Sequence, residues 1–166
     1  MDEDEPGRWT HADFDGMSWH DCRIHGIALP AESHELALDI DFIVEWLCPV
    51  PGAAVEFRVA PATLVFTAVT DLALDVDSQG GALHINMIDR EPAEIRGAGG
   101  VPYPYPRWLI RCHEGRLSFR ATGFTQYLRV APRLIREPGA QSLTLEERGP
   151  VSLARGRTDL GVSDGA

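Results

Sequence analysis

Residues 35–46 read Glu35-Leu36-Ala37-Leu38-Asp39-Ile40-Asp41-Phe42-Ile43-Val44-Glu45-Trp46, and their two-residue period decides the fold. Leu36, Leu38, Ile40, Phe42, Val44 and Trp46 fall on even positions; Glu35, Ala37, Asp39, Asp41 and Glu45 fall on odd ones. Successive side chains of a strand point to opposite faces, so the segment predicts a strand with one apolar face and one acidic face. Wound as a helix, the same apolar residues would wrap the whole cylinder.

The period recurs on both sides. Residues 19–29 form a second strand whose phase slips, with His20, Cys22 and Ile24 on one parity and Ile27 and Leu29 on the other. An extra residue at His25-Gly26 repairs the slip, which predicts a β-bulge there, and residues 30–34 become the turn of a hairpin with the long strand. Downstream, Val55, Phe57 and Val59 make a short strand that Pro61 interrupts. Even positions from Leu64 to Val76 describe one long bent strand or two, and Leu83, Ile85 and Met87 another after the Ser78-Gln79-Gly80-Gly81 turn. The clearest hairpin has Glu114-Gly115 as its two-residue loop. Pairing His113 with Arg116 sets Cys112 against Leu117, Ile110 against Phe119 and Trp108 against Ala121. The apolar phase changes again at Gly123, where a bulge or corner is expected, and Leu143 and Leu145 suggest a last strand over residues 142–146. Sustained helical periodicity is absent. The expected fold is all-β and mainly antiparallel, a single-domain sandwich or partly open barrel of about eight or nine strands with little helix.

At 166 residues the chain has room for one ordinary core. Its formal charge is −10, and residues 1–15 carry half of that, with six acids against Arg8. By composition, residues 1–15 are expected to be an acidic, poorly ordered segment, residues 16–148 the β domain, and residues 149–166 a flexible tail. All fifteen basic residues are arginine. A mildly acidic body repels nucleic-acid backbones and anionic membranes and favours a protein partner with a basic surface. No apolar run approaches the roughly 18 residues that span a bilayer, and the first residues are acidic where a secretory signal would be basic and then apolar. A cytoplasmic location is expected. Cys22, Cys48 and Cys112 are odd in number and widely spaced, without a C-x-x-C pair, and read as buried free thiols in a reducing compartment.

Residues 89–106 are the least regular stretch, with Gly97, Gly99 and Gly100 followed by alternating proline and tyrosine. An extended path there either presents Tyr103 and Tyr105 outward as a binding loop or packs across a sheet edge to protect its backbone. No Lys-Ser or Lys-Thr follows the glycines, so this is no phosphate loop.

Chemistry centres on Trp19, His20 and Asp21, with His25 near in sequence and His84 and His113 on other strands. Metal binding needs convergent ligands, and adjacent residues such as His20 and Asp21 point to opposite faces of a regular strand; a hydrogen-bonded His-Asp pair is the alternative. Neither a metal site nor a cofactor is assigned. Asp39, Asp41 and Glu45, opposed by Asp71, Asp75 and Asp77, offer carboxylates for glycoside chemistry or, more ordinarily, a solvated sheet face. A Cys22–His20 pair lacks the electropositive setting that activates a thiol. No catalytic residue is assigned.

The run Ser18-Trp19-His20-Asp21-Cys22, then Ile24 and Ile27, then Leu36-x-Leu38-x-Ile40, resembles small β-rich bacterial proteins grouped with polymorphic-toxin immunity families. The likeness covers about the first third of the chain. It implies stoichiometric binding to a partner toxin, with no functional residue beyond the His-Asp pair carried over.

Two readings follow. The first is a non-enzymatic, immunity-like interaction protein that binds through Asp39, Asp41, Glu45, Tyr103 and Tyr105. The alternative is a small-ligand binder or metal-dependent hydrolase with a pocket in an open barrel, lined by Trp19, His20, Asp21 and His113 together with Trp46 and Trp108. A homodimer through exposed edge strands is a further expectation.

Overall fold

The 35–46 alternation forms strand β3 (Leu36–Leu47), paired along its length with β4 (Glu56–Thr67) on one side and over a shorter run with β2 (Arg23–Ala28) on the other. The computed structural model describes residues 7–30 and 32–158. Its other strands are β1 (Arg8–Thr10), β5 (Thr70–Val76), β6 (Leu83–Glu91), β7 (Glu94–Arg96), β8 (Pro102–Pro104), β9 (Arg107–Cys112), β10 (Gly115–Arg120), β11 (Gly123–Leu128) and β12 (Arg133–Ile135). All pairings are antiparallel. One ten-stranded sheet runs β1-β11-β4-β3-β2-β6-β9-β10-β5, with β12 added on β4, and β7 and β8 form a separate small hairpin. The fold is all-β and not a closed barrel, because the terminal strands β1 and β5 do not pair. Strands outnumber the sequence expectation because the three-residue pieces β1, β7, β8 and β12 are too short to carry a period.

The sheet folds back on itself where β2 meets β6 through only two residue pairs, Arg23 with His84 and Ile24 with Leu83. This brings the even face of β3 and β4 onto β9 and β10: Phe66 packs against Trp108 at 5.3 Å and Phe119 at 4.7 Å between ring centroids. Trp19 and Trp108 are buried with their indole N–H groups satisfied, Trp19 donating to Gln126 Oε1 (2.8 Å) and Trp108 to the Ala121 carbonyl (3.1 Å). A 3₁₀ turn at His11–Gly16, held by a Thr10–Asp13 capping box, drops Phe14 onto Trp19, Trp108 and Phe124. Trp19 and Trp108 are therefore core residues.

The bulge expected in β2 is present: the register with β3 shifts between Ile24 and Gly26. The hairpin formed by β2 and β3 and the corner at Gly123, where the chain passes from β10 to β11, also agree. Four expectations change. Pro61 does not interrupt β4; its carbonyl accepts from Arg129 N–H, so its missing N–H lies on the side where β4 is passed from β11 to β12 and no ladder bond is lost. The β9–β10 hairpin turns at His113-Glu114, pairing Cys112 with Gly115 and Ile110 with Leu117, one residue earlier than expected. The faces survive, because alternation fixes register only to within steps of two. Gly115 must be in the strand: a Cβ there would sit 2.1 Å from the Asp75 carbonyl oxygen of β5. Residues 142–146 are not a strand, since Thr144 and Glu147 form a capping box that starts a one-turn helix, α1 (Leu145–Arg148). Finally, β3 carries its own bulge between Ile43 and Glu45, which reverses parity and takes Trp46 off the core face.

The ends also pack. In the N-terminal segment expected to be poorly ordered, β1 pairs with β11 and Trp9 contacts Phe42. Of the expected flexible tail, residues 149–158 cross the odd face of β3 and β4, where Ala154 and Thr158 make hydrogen bonds to Thr63 and Arg129. Residues 1–6 and 159–166 lie outside the described residues.

Candidate functional site

The alternation predicts an exposed acidic row on the odd face of β3, and the structure corrects this. Asp39 and Asp41 have no solvent exposure. Two buried carboxylates need cationic partners, and distant arginines supply them. Arg129 Nη2 and Arg148 Nη2 each lie 2.6 Å from Asp39 Oδ1, and Arg148 Nε is 3.0 Å from Asp41 Oδ1. Backbone N–H groups of Ser152 and Leu143 donate to the remaining oxygens. His25, the bulge residue of β2, turns its Nε2 to within 2.9 Å of Asp41 Oδ2. Burial pushes the Asp41 carboxyl up, but the hydrogen bonds from His25 and Arg148 outweigh it and hold the group below the usual carboxylate range. At the start of the row Glu35 pairs with Arg155; Glu45, expected on the same face, is turned to the opposite one by the bulge at Val44 and pairs there with Arg58 (3.5 Å).

Every carboxylate left on the row therefore has an arginine, and all three of these arginines, Arg129, Arg148 and Arg155, come from residues 129–155. That segment is a strap across β3. Gly26 leaves room for it: a Cβ there would meet Val151 Cγ1 at 2.7 Å. Asp39 and Asp41 hold the strap and present no contact surface. The signal available in the sequence was Arg129, Arg148 and Arg155 within an apparently aperiodic region, opposite acids that alternate with core residues.

Of the two tyrosines, Tyr103 is exposed and Tyr105 is buried. Tyr105 Oη donates to the Ala68 carbonyl (2.6 Å) and lies 2.8 Å from Thr70 Oγ1, tying the 89–106 connection to the β4–β5 turn. Its expected outward presentation is corrected: the ring covers sheet rather than facing a partner.

The histidines group in part. Asp21, at φ +63°, is bracketed by His20 Nδ1 (3.1 Å) and His113 Nε2 (3.4 Å), with Gln141 Nε2 donating at 3.0 Å. The left-handed backbone at Asp21 lets two adjacent side chains meet, which a regular strand forbids. Partial burial raises the Asp21 carboxyl, and the Gln141, His113 and His20 contacts lower it further than burial raises it. His84 pairs separately with Glu114 (2.9 Å), and His25 belongs to the buried strap network. A shallow depression of about 380 Å³ lined by Phe14, Met17, Trp19, His20, Asn86 and Met87 takes in His20 but none of the other three. Among the described residues, no three of His, Cys, Asp and Glu are placed to hold a metal ion together.

The thiols differ from one another. Cys22 is buried, accepts from the Ile43 N–H, and is pushed up to about 12 by burial; Cys112 is pushed up to about 11 by the same cause. Cys48 is exposed, against the expectation that all three are interior.

What the surface does offer is Trp46. Its ring is 47 % exposed yet pinned edge-on against Phe57 (4.9 Å) and flanked by His20 (5.9 Å). Val44, Val50 and Val55, from the same end of the β3–β4 pair, are exposed as well. The parity reversal at Val44 exposes Trp46, which the sequence reading assigns to the core.

Comparison with protein-family models, with curated proteins and with solved structures finds no match to this chain. Among the described residues, no helix is long and apolar enough to cross a membrane.

Proposed function

We propose that this chain is a non-enzymatic protein-binding β domain whose contact surface is centred on Trp46. The observation that carries the reading is a large aromatic ring, half exposed and packed edge-on against Phe57, with the Glu45–Arg58 ion pair on the neighbouring positions of the two strands. Pinned aromatics of this kind are the side chains that supply most of the affinity in protein interfaces, because they bury much area and lose little entropy. A net charge of −10 favours a partner with a basic surface and speeds the encounter. The immunity-like role implied by the aromatic-His-Asp start is one form of such binding.

The test is affinity capture from the source organism with the native protein and with Trp46→Ala, followed by direct titration of any purified partner. The substitution should leave the thermal midpoint nearly unchanged and weaken binding by at least about 30-fold, the scale of an aromatic anchor. A partner that binds Trp46→Ala as tightly as the native protein, or recovery of no partner at all, refutes the proposal.

A further inference from the structure

Strand β5 ends the ten-stranded sheet, and its outer edge carries no backbone hydrogen bond from Leu72 to Val76 among the described residues. Asp77 N–H donates to the Glu114 carbonyl across β10. Backbone groups alternate along a strand, so Asp75 and Ala73 also face β10, while the N–H and C=O groups of Leu72, Leu74 and Val76 point outward. An exposed edge is commonly blunted by charged side chains, proline, a bulge or a covering loop. Residues 72–76 hold no proline and one charge, Asp75, and the irregularity in the pairing with β10 lies at the Asp71 end of the strand.

The two faces of the strand specify what could pair with it. Leu74 lies beside buried Leu117 in the β5–β10 register yet is 52 % exposed, and Val76 is 42 % exposed. Leu72, Leu74 and Val76 thus continue the core face past the last paired strand. On the opposite face Asp71 reaches Arg120 at 3.5 Å; Asp75 lies across from Arg116 in the β5–β10 register, but neither Asp75 nor Asp77 closes an ion pair among the described residues.

A second copy of the chain fits poorly. Antiparallel pairing of β5 with itself, apolar face to apolar face, sets Asp71 against Asp75 or Asp77, or Asp75 against itself, and like charges directly opposed destabilise a strand pair. We infer that the open edge of β5 accepts an extended strand from a partner protein in which apolar and basic residues alternate. Main-chain hydrogen bonds to Leu72, Leu74 and Val76 supply affinity. The alternating side chains supply register, with apolar groups completing the core face over Leu74 and Val76 and arginine or lysine answering Asp75 and Asp77. This surface is independent of Trp46, and failure at one does not imply failure at the other.

The probe is a capped heptapeptide of alternating arginine and valine, compared with an isomer of the same composition whose arginines are contiguous. Anisotropy titration gives affinity, and residue-resolved amide exchange gives the contact. The alternating peptide should bind at least about tenfold tighter than its isomer, since only it places both kinds of side chain correctly. The amides of Leu72, Leu74 and Val76 should exchange rapidly in the free protein and become protected on binding. Leu74→Pro removes an outward N–H without touching the β10 ladder, so it should weaken the alternating peptide about tenfold or more while the unfolding midpoint stays close to native. Asp75→Asn with Asp77→Asn should weaken it and reduce its salt dependence, and Trp46→Ala should leave it unchanged. Equal binding of the two isomers, no gain of protection on β5, or undiminished binding by Leu74→Pro overturns the inference. So does a free protein that is dimeric with those amides already protected.

Discussion

Replacing Arg148 with alanine should cost about 3–5 kcal/mol of folding stability, the range for removing one member of a buried ion pair. The magnitude follows from what remains behind. Arg148 is buried and bridges Asp39 (2.6 Å) and Asp41 (3.0 Å), while Arg129 reaches only Asp39. Without it, two interior carboxylates face one arginine, and Asp41 keeps only His25 and the Leu143 N–H. The guanidinium also donates to the Gly149 carbonyl, so strap anchoring is lost together with charge balance. Urea unfolding followed by tryptophan fluorescence is the assay. With a slope of about 2 kcal/mol per molar, the midpoint should fall by roughly 1.5–2.5 M. Pairing Arg148→Met with Asp41→Asn removes one charge of each sign and should recover at least half of the loss, a coupling that a double-mutant cycle reads directly. A cost under about 1 kcal/mol would equal that of an exposed pair and refute the strap reading, as would strict additivity of the two substitutions.

Other outcomes follow from the same structure. The Asp41 carboxyl is held below its ordinary value in the folded state, so the stability it adds is fully present above about pH 4–5 and is lost as pH falls through the folded value; acid titration of Asp41→Asn should show a shallower acid limb than the native protein. Iodoacetamide at pH 8 should label exposed Cys48 first, Cys112 slowly and Cys22 only on unfolding, as peptide mapping by mass spectrometry would read; early labelling of Cys22 would contradict its burial. Gly115→Ala places a methyl 2.1 Å from the Asp75 carbonyl at a positive φ and should destabilise by at least about 2 kcal/mol in thermal or urea unfolding, whereas Gly80→Ala, with nothing within 4 Å, should be close to neutral. Tyr105→Phe removes the hydrogen bond to Ala68 and should cost about 1 kcal/mol in the same assay.

Much of the fold was legible because the period is local. Leu36 to Phe42, Ile110, Leu117, Phe119 and the His25-Gly26 bulge could be read from neighbours in sequence. Thr144-x-x-Glu147 was also written locally, and the leucines at 143 and 145 obscured it. The site was far less legible. Trp46 follows a bulge at Val44 that no glycine marks, so parity alone assigned it to the core. The acids of β3 looked solvated because alternation distinguishes two faces without saying what covers each.

The sequence by itself determined the longer strands and most of their apolar faces, since each depends on side chains within a few residues. Only the tertiary structure decided that the acidic face is interior. Arg148 lies 107 residues from Asp41, and nothing in a local pattern couples positions so far apart until the sheet folds and the strap crosses it. Burying Asp39 and Asp41 is tolerable only because those arginines arrive, so whether that face is a surface or a core is a property of the whole chain.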